Sequence, residues 1–203
     1  MKVALAQSNT RVGAIDSNTE SLIATAIRAR DELGAELVLF PELTLSGYPP
    51  EDLLLHGGLR RRIGDAIERV RREVTGITVC FGAPEYDGNR IYNSAFVVRD
   101  GEVVAVHRKW KLPNYAVFDE MRYFTSGDTP TVFEMGGVSF GLIVCEDAWF
   151  PEPAAAAAAA NDDDDKGQDQ NAFTHARFNR EYRRCHDPGK PGQQCTEREY
   201  QAV

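Results

Sequence analysis

The sequence predicts a layered α/β fold, with helices packed against one side of a sheet. Two changes of pattern carry that prediction. Short apolar runs alternate with stretches of helical period up to residue 74, then give way to strand-like runs set between turn residues. Large aliphatic residues then stop. Residues 161–203 contain no Leu, Ile, Met or Trp, so the core has to come from what precedes them.

Val3 to Gln7 is short, apolar and followed by polar residues, which suits a buried strand. Asp16 to Leu33 reads as a helix because Leu22, Ile23, Ala26, Ile27 and Leu33 share one face, with Gly34 as its stop. Leu37 to Phe40 is a second buried strand, ended by Pro41. A second helix runs from Leu59 to Val74, with Leu59, Ile63, Ala66, Ile67, Val70 and Val74 in register. Six arginines between Arg60 and Arg72 occupy its other face, as a solvated helix surface does. Strands follow at Thr78 to Pro84 and Ile91 to Val98, separated by the turn Asp87-Gly88-Asn89. The hairpin turn Asp100-Gly101 leads into Glu102 to His107, and Gly136-Gly137 joins Thr131 to Met135 with Val138 to Val144.

Composition excludes several functions. The chain carries 31 acidic and 23 basic side chains, a formal charge of −8, which argues against a general binder of nucleic acid or anionic membrane. Four cysteines without a CxxC pair do not make a disulfide scaffold, and the glycines form neither GxGxxG nor a P-loop. Met1 to Asn9 turns polar too soon for a secretory signal, and Ala154 to Ala160 is too short to span a bilayer. The expectation is a cytoplasmic protein with reduced thiols, in which a well-placed cysteine is a candidate for chemistry.

Three strand ends carry reactive side chains, and strand ends are where α/β proteins place their sites. Glu42 follows a buried strand and a proline break, Lys109 lies in the basic run His107 to Lys111, and Cys145 caps an apolar strand just before Glu146 and Asp147. Cys80, inside a strand, reads as packing, whereas polarity switches at Cys145. Each residue alone is commonplace. Together they form a covalent machine: a thiol, a carboxylate to take its proton and return it to a leaving amine, and an ammonium to hold an oxyanion.

Phe40-Pro41-Glu42, Arg108-Lys109 and Cys145-Glu146-Asp147 stand in the order and context of the nitrilase, or carbon–nitrogen hydrolase, superfamily, which the sequence resembles. Leu45-Ser46-Gly47-Tyr48-Pro49-Pro50-Glu51-Asp52-Leu53-Leu54 and Leu112-Pro113-Asn114-Tyr115-Ala116-Val117-Phe118-Asp119-Glu120 are similar to the glutaminase domains of glutamine-dependent NAD⁺ synthetases. The resemblance runs from residue 1 to Pro153 and implies a four-layer αββα sandwich. It implies Cys145 as nucleophile on the side-chain amide of L-glutamine, Glu42 as base and then acid, and Lys109 with the Glu146 N–H as oxyanion donors. Tyr115 would contact the substrate, and Tyr48 and Phe118 would line its pocket. Lys109 is selected over Lys111 because two residues separate the family's lysine from the Leu-Pro pair. The resemblance implies no metal or cofactor for this domain. ATP and Mg²⁺ would serve a synthetase domain that consumes the ammonia, and the intact family implies a homo-oligomer.

The sequence departs from this family after Pro153. Residues 154–160 begin an alanine-rich helix, and residues 161–203 read as a polar, disordered or aberrant tail, such as a frameshift leaves. The family's later strands and synthetase domain are expected to be missing, so the chain reads as an incomplete glutaminase with little or no activity of its own. Cys185, His186, Cys195 and His175 match no common zinc spacing. Two alternatives stay open: an amidase acting on another small amide, and an inactive fragment that works only with an intact partner.

Overall fold

Two parallel crossovers start the chain and set the direction of the first sheet. In the computed structural model, which describes residues 1–162 and 171–176, strands β1 (Val3–Leu5), β2 (Leu37–Leu39) and β3 (Thr78–Asp87) run parallel. Parallel neighbours need long connections, and helices α1 (Ile15–Asp31) and α2 (Gly57–Glu73) lie in them. Strands β4 (Arg90–Arg99) and β5 (Glu102–Arg108) then add antiparallel, completing a five-stranded sheet in the order β1-β2-β3-β4-β5. Strands β6 (Val132–Met135) and β7 (Val138–Val144) pair with each other rather than with this sheet. With β8 (Asn171–Ala176) parallel to β7, they make a second sheet of three. Helix α3 (Pro151–Asp162) packs against β7.

Alternation along the strands divides the core in two. Val38, Val79, Phe81, Phe96 and Val98 face α1 and α2, burying Leu22, Ala26, Ile63, Ala66 and Val70. Leu37, Leu39, Cys80, Ala95 and Val97 face the other way and pack on Phe133, Met135, Phe140, Leu142 and Val144 of the second sheet. Buried Ile143 alternates away from that interface, toward the side of α3, where Ala157 is also buried. The layers are therefore helices, sheet, sheet and helix, the αββα order.

Helix and strand positions follow the sequence pattern closely. The turns Asp100-Gly101 and Gly136-Gly137 hold positive φ at both residues, as a two-residue type I′ hairpin demands. At the first hairpin, Asp87 pairs with Arg90, so Gly88-Asn89 alone makes the turn and both strands run longer than apolar character indicates. Strand β1 ends earlier than expected, at Leu5, with one further ladder-like bond from Ala6 N to Leu39 O at 2.8 Å. The α2 arginines meet acids at the surface, among them Arg69 with Glu73, Arg71 with Glu68 and Arg62 with Asp16. Of the segment that composition reads as a polar tail, residues 161–162 end α3 and six residues run as β8; the remainder of that reading, including Cys185, His186 and Cys195, lies outside the described residues. Among the described residues no helix is long and apolar enough to cross a membrane.

Candidate active site

The ends of β2, β5 and β7 bring Glu42, Lys109 and Cys145 together across the two sheets. Glu42 sits in the turn after β2, which lies directly on β3. A Cβ at Gly82 would collide with the Leu43 nitrogen and the Glu42 backbone, so glycine is required there for the loop to close down. Lys109 continues the β5 ladder, its N–H donating to Asn93 O at 2.9 Å. Its side chain is fully buried, and burial of an ammonium demands paired oxygens. Nζ donates to Glu42 Oε1 at 2.7 Å and to both oxygens of Glu120, at 3.0 and 2.9 Å. Asn93 Nδ2 donates to the same Glu42 Oε1 at 2.7 Å, and the Tyr48 hydroxyl donates to Glu120 Oε1 at 2.9 Å. The result is one buried cation between two carboxylates, with Oε1 of Glu42 pinned by two donors.

Electrostatics follow from this crowding. Burial alone would lower the Lys109 pKa, but Glu42 and Glu120 outweigh it and hold the ammonium above its ordinary value. Glu120 is raised, first by burial and then by the Glu42 charge, with Lys109 opposing. Tyr48 is pushed upward by burial and by Glu120. The Cys145 thiol is pushed up to about 12, chiefly by burial and next by the Glu42 carboxylate, within whose hydrogen-bond reach it lies. The thiolate is therefore disfavoured, and the thiol lies beside a carboxylate.

Cys145 begins a short 3₁₀ turn, Cys145–Trp149, at φ +47°, an uncommon conformation for a residue with a side chain. The N–H groups of a first turn have no partner within the helix, so the Glu146 N–H is placed beside the sulfur-bearing residue without an intrahelical acceptor. The Glu146 carboxylate accepts from the Tyr115 hydroxyl at 3.2–3.3 Å. Phe118 bridges the aromatic residues, its ring centroid 5.6 Å from Tyr115 and 6.4 Å from Tyr48. These side chains run from buried Glu120 to half-buried Glu146. A cleft of about 220 Å³ opens beside Tyr48 and Glu120, walled also by Asp52, Val117, Arg122 and Phe124; Cys145 does not line it.

Lys111 stands apart from this cluster, paired with Glu152 at 3.4 Å and lying over the Phe150 ring. Sequence reasoning gave no role to Glu120 or Asn93, although both touch the cluster. The available signals were a glutamate just before the aromatic run at Tyr123-Phe124, and an asparagine interrupting the apolar run of β4. Buried Asn93 Oδ1 has no hydrogen-bond partner among the described residues. Among those residues no group of three or more His, Cys, Asp or Glu is placed to hold a metal ion.

The profile of the carbon-nitrogen hydrolase family matches residues 2–163. The chain is 48% identical over 157 residues to the glutamine-dependent NAD(+) synthetase of Xylella fastidiosa (strain Temecula1), covering 76% of this chain and 29% of that protein. The solved structure of glutamine-dependent NAD⁺ synthetase from Acinetobacter baumannii, in complex with ADP, superposes with a TM-score of 0.75 at 43% identity, over 78% of this chain and 30% of that one. A glutamate-to-glutamine mutant of the amidase from Nesterenkonia sp. AN1, showing the result of Michael addition of acrylamide at the active site cysteine, gives a TM-score of 0.72 at 31% identity, over 79% of this chain and 63% of that one. The chain thus spans less than a third of the length of these synthetases.

Proposed function

This chain belongs to the carbon–nitrogen hydrolase family, and from that premise we propose that it cleaves the side-chain amide of L-glutamine through Cys145, Glu42 and Lys109. The observation that supports this most directly is the contact of Glu42 with the Lys109 ammonium on one side and the Cys145 thiol on the other. In this reading Cys145 Sγ attacks the amide carbon as its proton passes to Glu42. The Lys109 Nζ–H and the Glu146 N–H hold the oxyanion of the tetrahedral intermediate. Glu42 then returns the proton to the leaving nitrogen, the C–N bond breaks, and ammonia departs from a γ-glutamyl thioester. Water, deprotonated by Glu42, attacks the thioester and releases glutamate and the thiol. The Glu146 carboxylate, held by the Tyr115 hydroxyl, is opposite in charge to the substrate's α-ammonium. Tyr48 and Phe118 shape the wall beside it.

We assign the ammonia to ATP-dependent amidation of nicotinic acid adenine dinucleotide, on a synthetase unit joined to this chain or acting in trans. Similarity to the NAD⁺ synthetases supports this. ATP and Mg²⁺ belong to that unit, and glutamine hydrolysis itself calls on neither. A second reading, an amidase for another small amide, is favoured by the likeness to the Nesterenkonia amidase, of which the chain covers 63%. Labelling separates the two without requiring rapid turnover. A diazoketone analogue of glutamine should modify Cys145, and glutamine should protect it where butyramide does not. Equal protection by both amides would favour the amidase, and absence of Cys145 labelling would overturn both.

A further inference from the structure

Asp147 is completely buried and takes no part in the chemistry above. Its Oδ1 accepts the N–H groups of Trp110 at 3.0 Å and Lys111 at 2.8 Å, and its Oδ2 accepts the Val144 N–H at 3.0 Å. Nε2 of His107, 1% exposed, lies 3.2 Å from the same Oδ2. A carboxylate oxygen offers no proton there, so His107 carries hydrogen on Nε2; its Nδ1 is 3.3 Å from Thr131 Oγ1.

The positions of these partners are informative. Val144 immediately precedes Cys145, and Trp110 immediately follows Lys109. One carboxylate therefore ties the end of β5, in the first sheet, to the end of β7, in the second. It also grips the residue before Cys145, whose left-handed backbone needs surroundings that hold it. We propose that Asp147, oriented by His107, is a positioning clamp that sets the Cys145 sulfur against Lys109 and Glu42. The inference rests on the reading of Cys145 as nucleophile and assigns a role to a buried histidine outside the proposed chemistry.

Alkylation by acrylamide, followed site by site with peptide mass spectrometry on the full 203-residue chain, tests it. Buried Cys80 reports whether the fold stays closed. His107→Leu removes the donor and should slow Cys145 modification about 10–100-fold, since misplacing a reacting group by about 1 Å can cost about 10²-fold. His107→Gln keeps an N–H toward Oδ2 and should restore most of the rate. Asp147→Asn should lose as much as His107→Leu, and the double variant no more than either, because the two act as one unit. Cys80 should stay protected throughout. A wild-type rate in His107→Leu, or losses that multiply in the double variant, would overturn the clamp. If His107→Leu exposes Cys80, the Gln and Asn variants decide. If those also expose it, the pair only stabilises the fold and the proposal fails. Protection by glutamine keeps this apart from the functional reading. A chain whose Cys145 depends on His107 for alkylation, yet is not protected by glutamine, retains the clamp and loses the glutaminase.

Discussion

Replacing Glu42 with glutamine tests the proposed chemistry most sharply, because it removes a proton acceptor and leaves the side-chain shape. With the Cys145 thiol pushed up to about 12, thiolate at pH 7.5 is roughly one part in 30,000, against about one in ten for an ordinary cysteine. On the proposed reading, proton transfer to Glu42 during attack makes up for this scarcity of pre-ionised sulfur. General-base assistance of that kind contributes about 10²–10⁴. Glu42→Gln should accordingly cut the formation of the Cys145 adduct with the diazoketone by about 10³. The pH dependence gives the sign. In the wild type the rate should change little between pH 7 and 9, since Glu42 already serves as base. In the variant it should climb nearly tenfold per pH unit, as hydroxide must do the work. The climb levels off at a lower pH than the wild-type thiol value would give, because removing the Glu42 carboxylate relieves part of what raises it, while burial, the largest cause, and the Glu120 charge remain. Quenched-flow or manual sampling with intact-mass detection measures both quantities. A variant within threefold of wild type, or one flat with pH, would refute the assignment of Glu42.

Lys109→Met should destabilise the fold by about 3–5 kcal/mol in urea unfolding, because it leaves Glu42 and Glu120 buried side by side without their cation. Gly82→Ala should lower stability by about 1–3 kcal/mol and also impair labelling of Cys145, since the Cβ pushes the Glu42 turn off β3; calorimetry and the labelling assay report the two effects. Tyr115→Phe removes only an exposed hydroxyl from Glu146, so stability should stay unchanged while the glutamine concentration needed to protect Cys145 rises several-fold.

How much of this was legible in the sequence depends on the range of each interaction. The strands and helices show because their periods are local: Leu22 and Ala26, or Ile63, Ala66 and Val70, declare a helical face without reference to anything distant. Glu42, Lys109 and Cys145 show because each marks an abrupt switch from apolar strand to polar loop. The assignment of β6 and β7 to a second sheet is less accessible, since an alternating hairpin reads the same whether it extends one sheet or faces it; the decision lies in the packing of Phe133, Phe140 and Leu142 on Leu37, Leu39 and Val97. The supporting polar residues are the least visible. Asn93 meets Glu42 across 51 positions and His107 meets Asp147 across 40, so their partners are defined only once β4, β5 and β7 have taken their places. Yet a physical trace exists at each one, because Asn93, His107, Glu120 and Asp147 are all polar and all buried. A polar side chain that cannot reach water has to find a partner inside. Where several such residues converge on the ends of strands from both sheets, they hold or brace the groups proposed to do the chemistry. The buried ones therefore mark the site as surely as the reactive ones do.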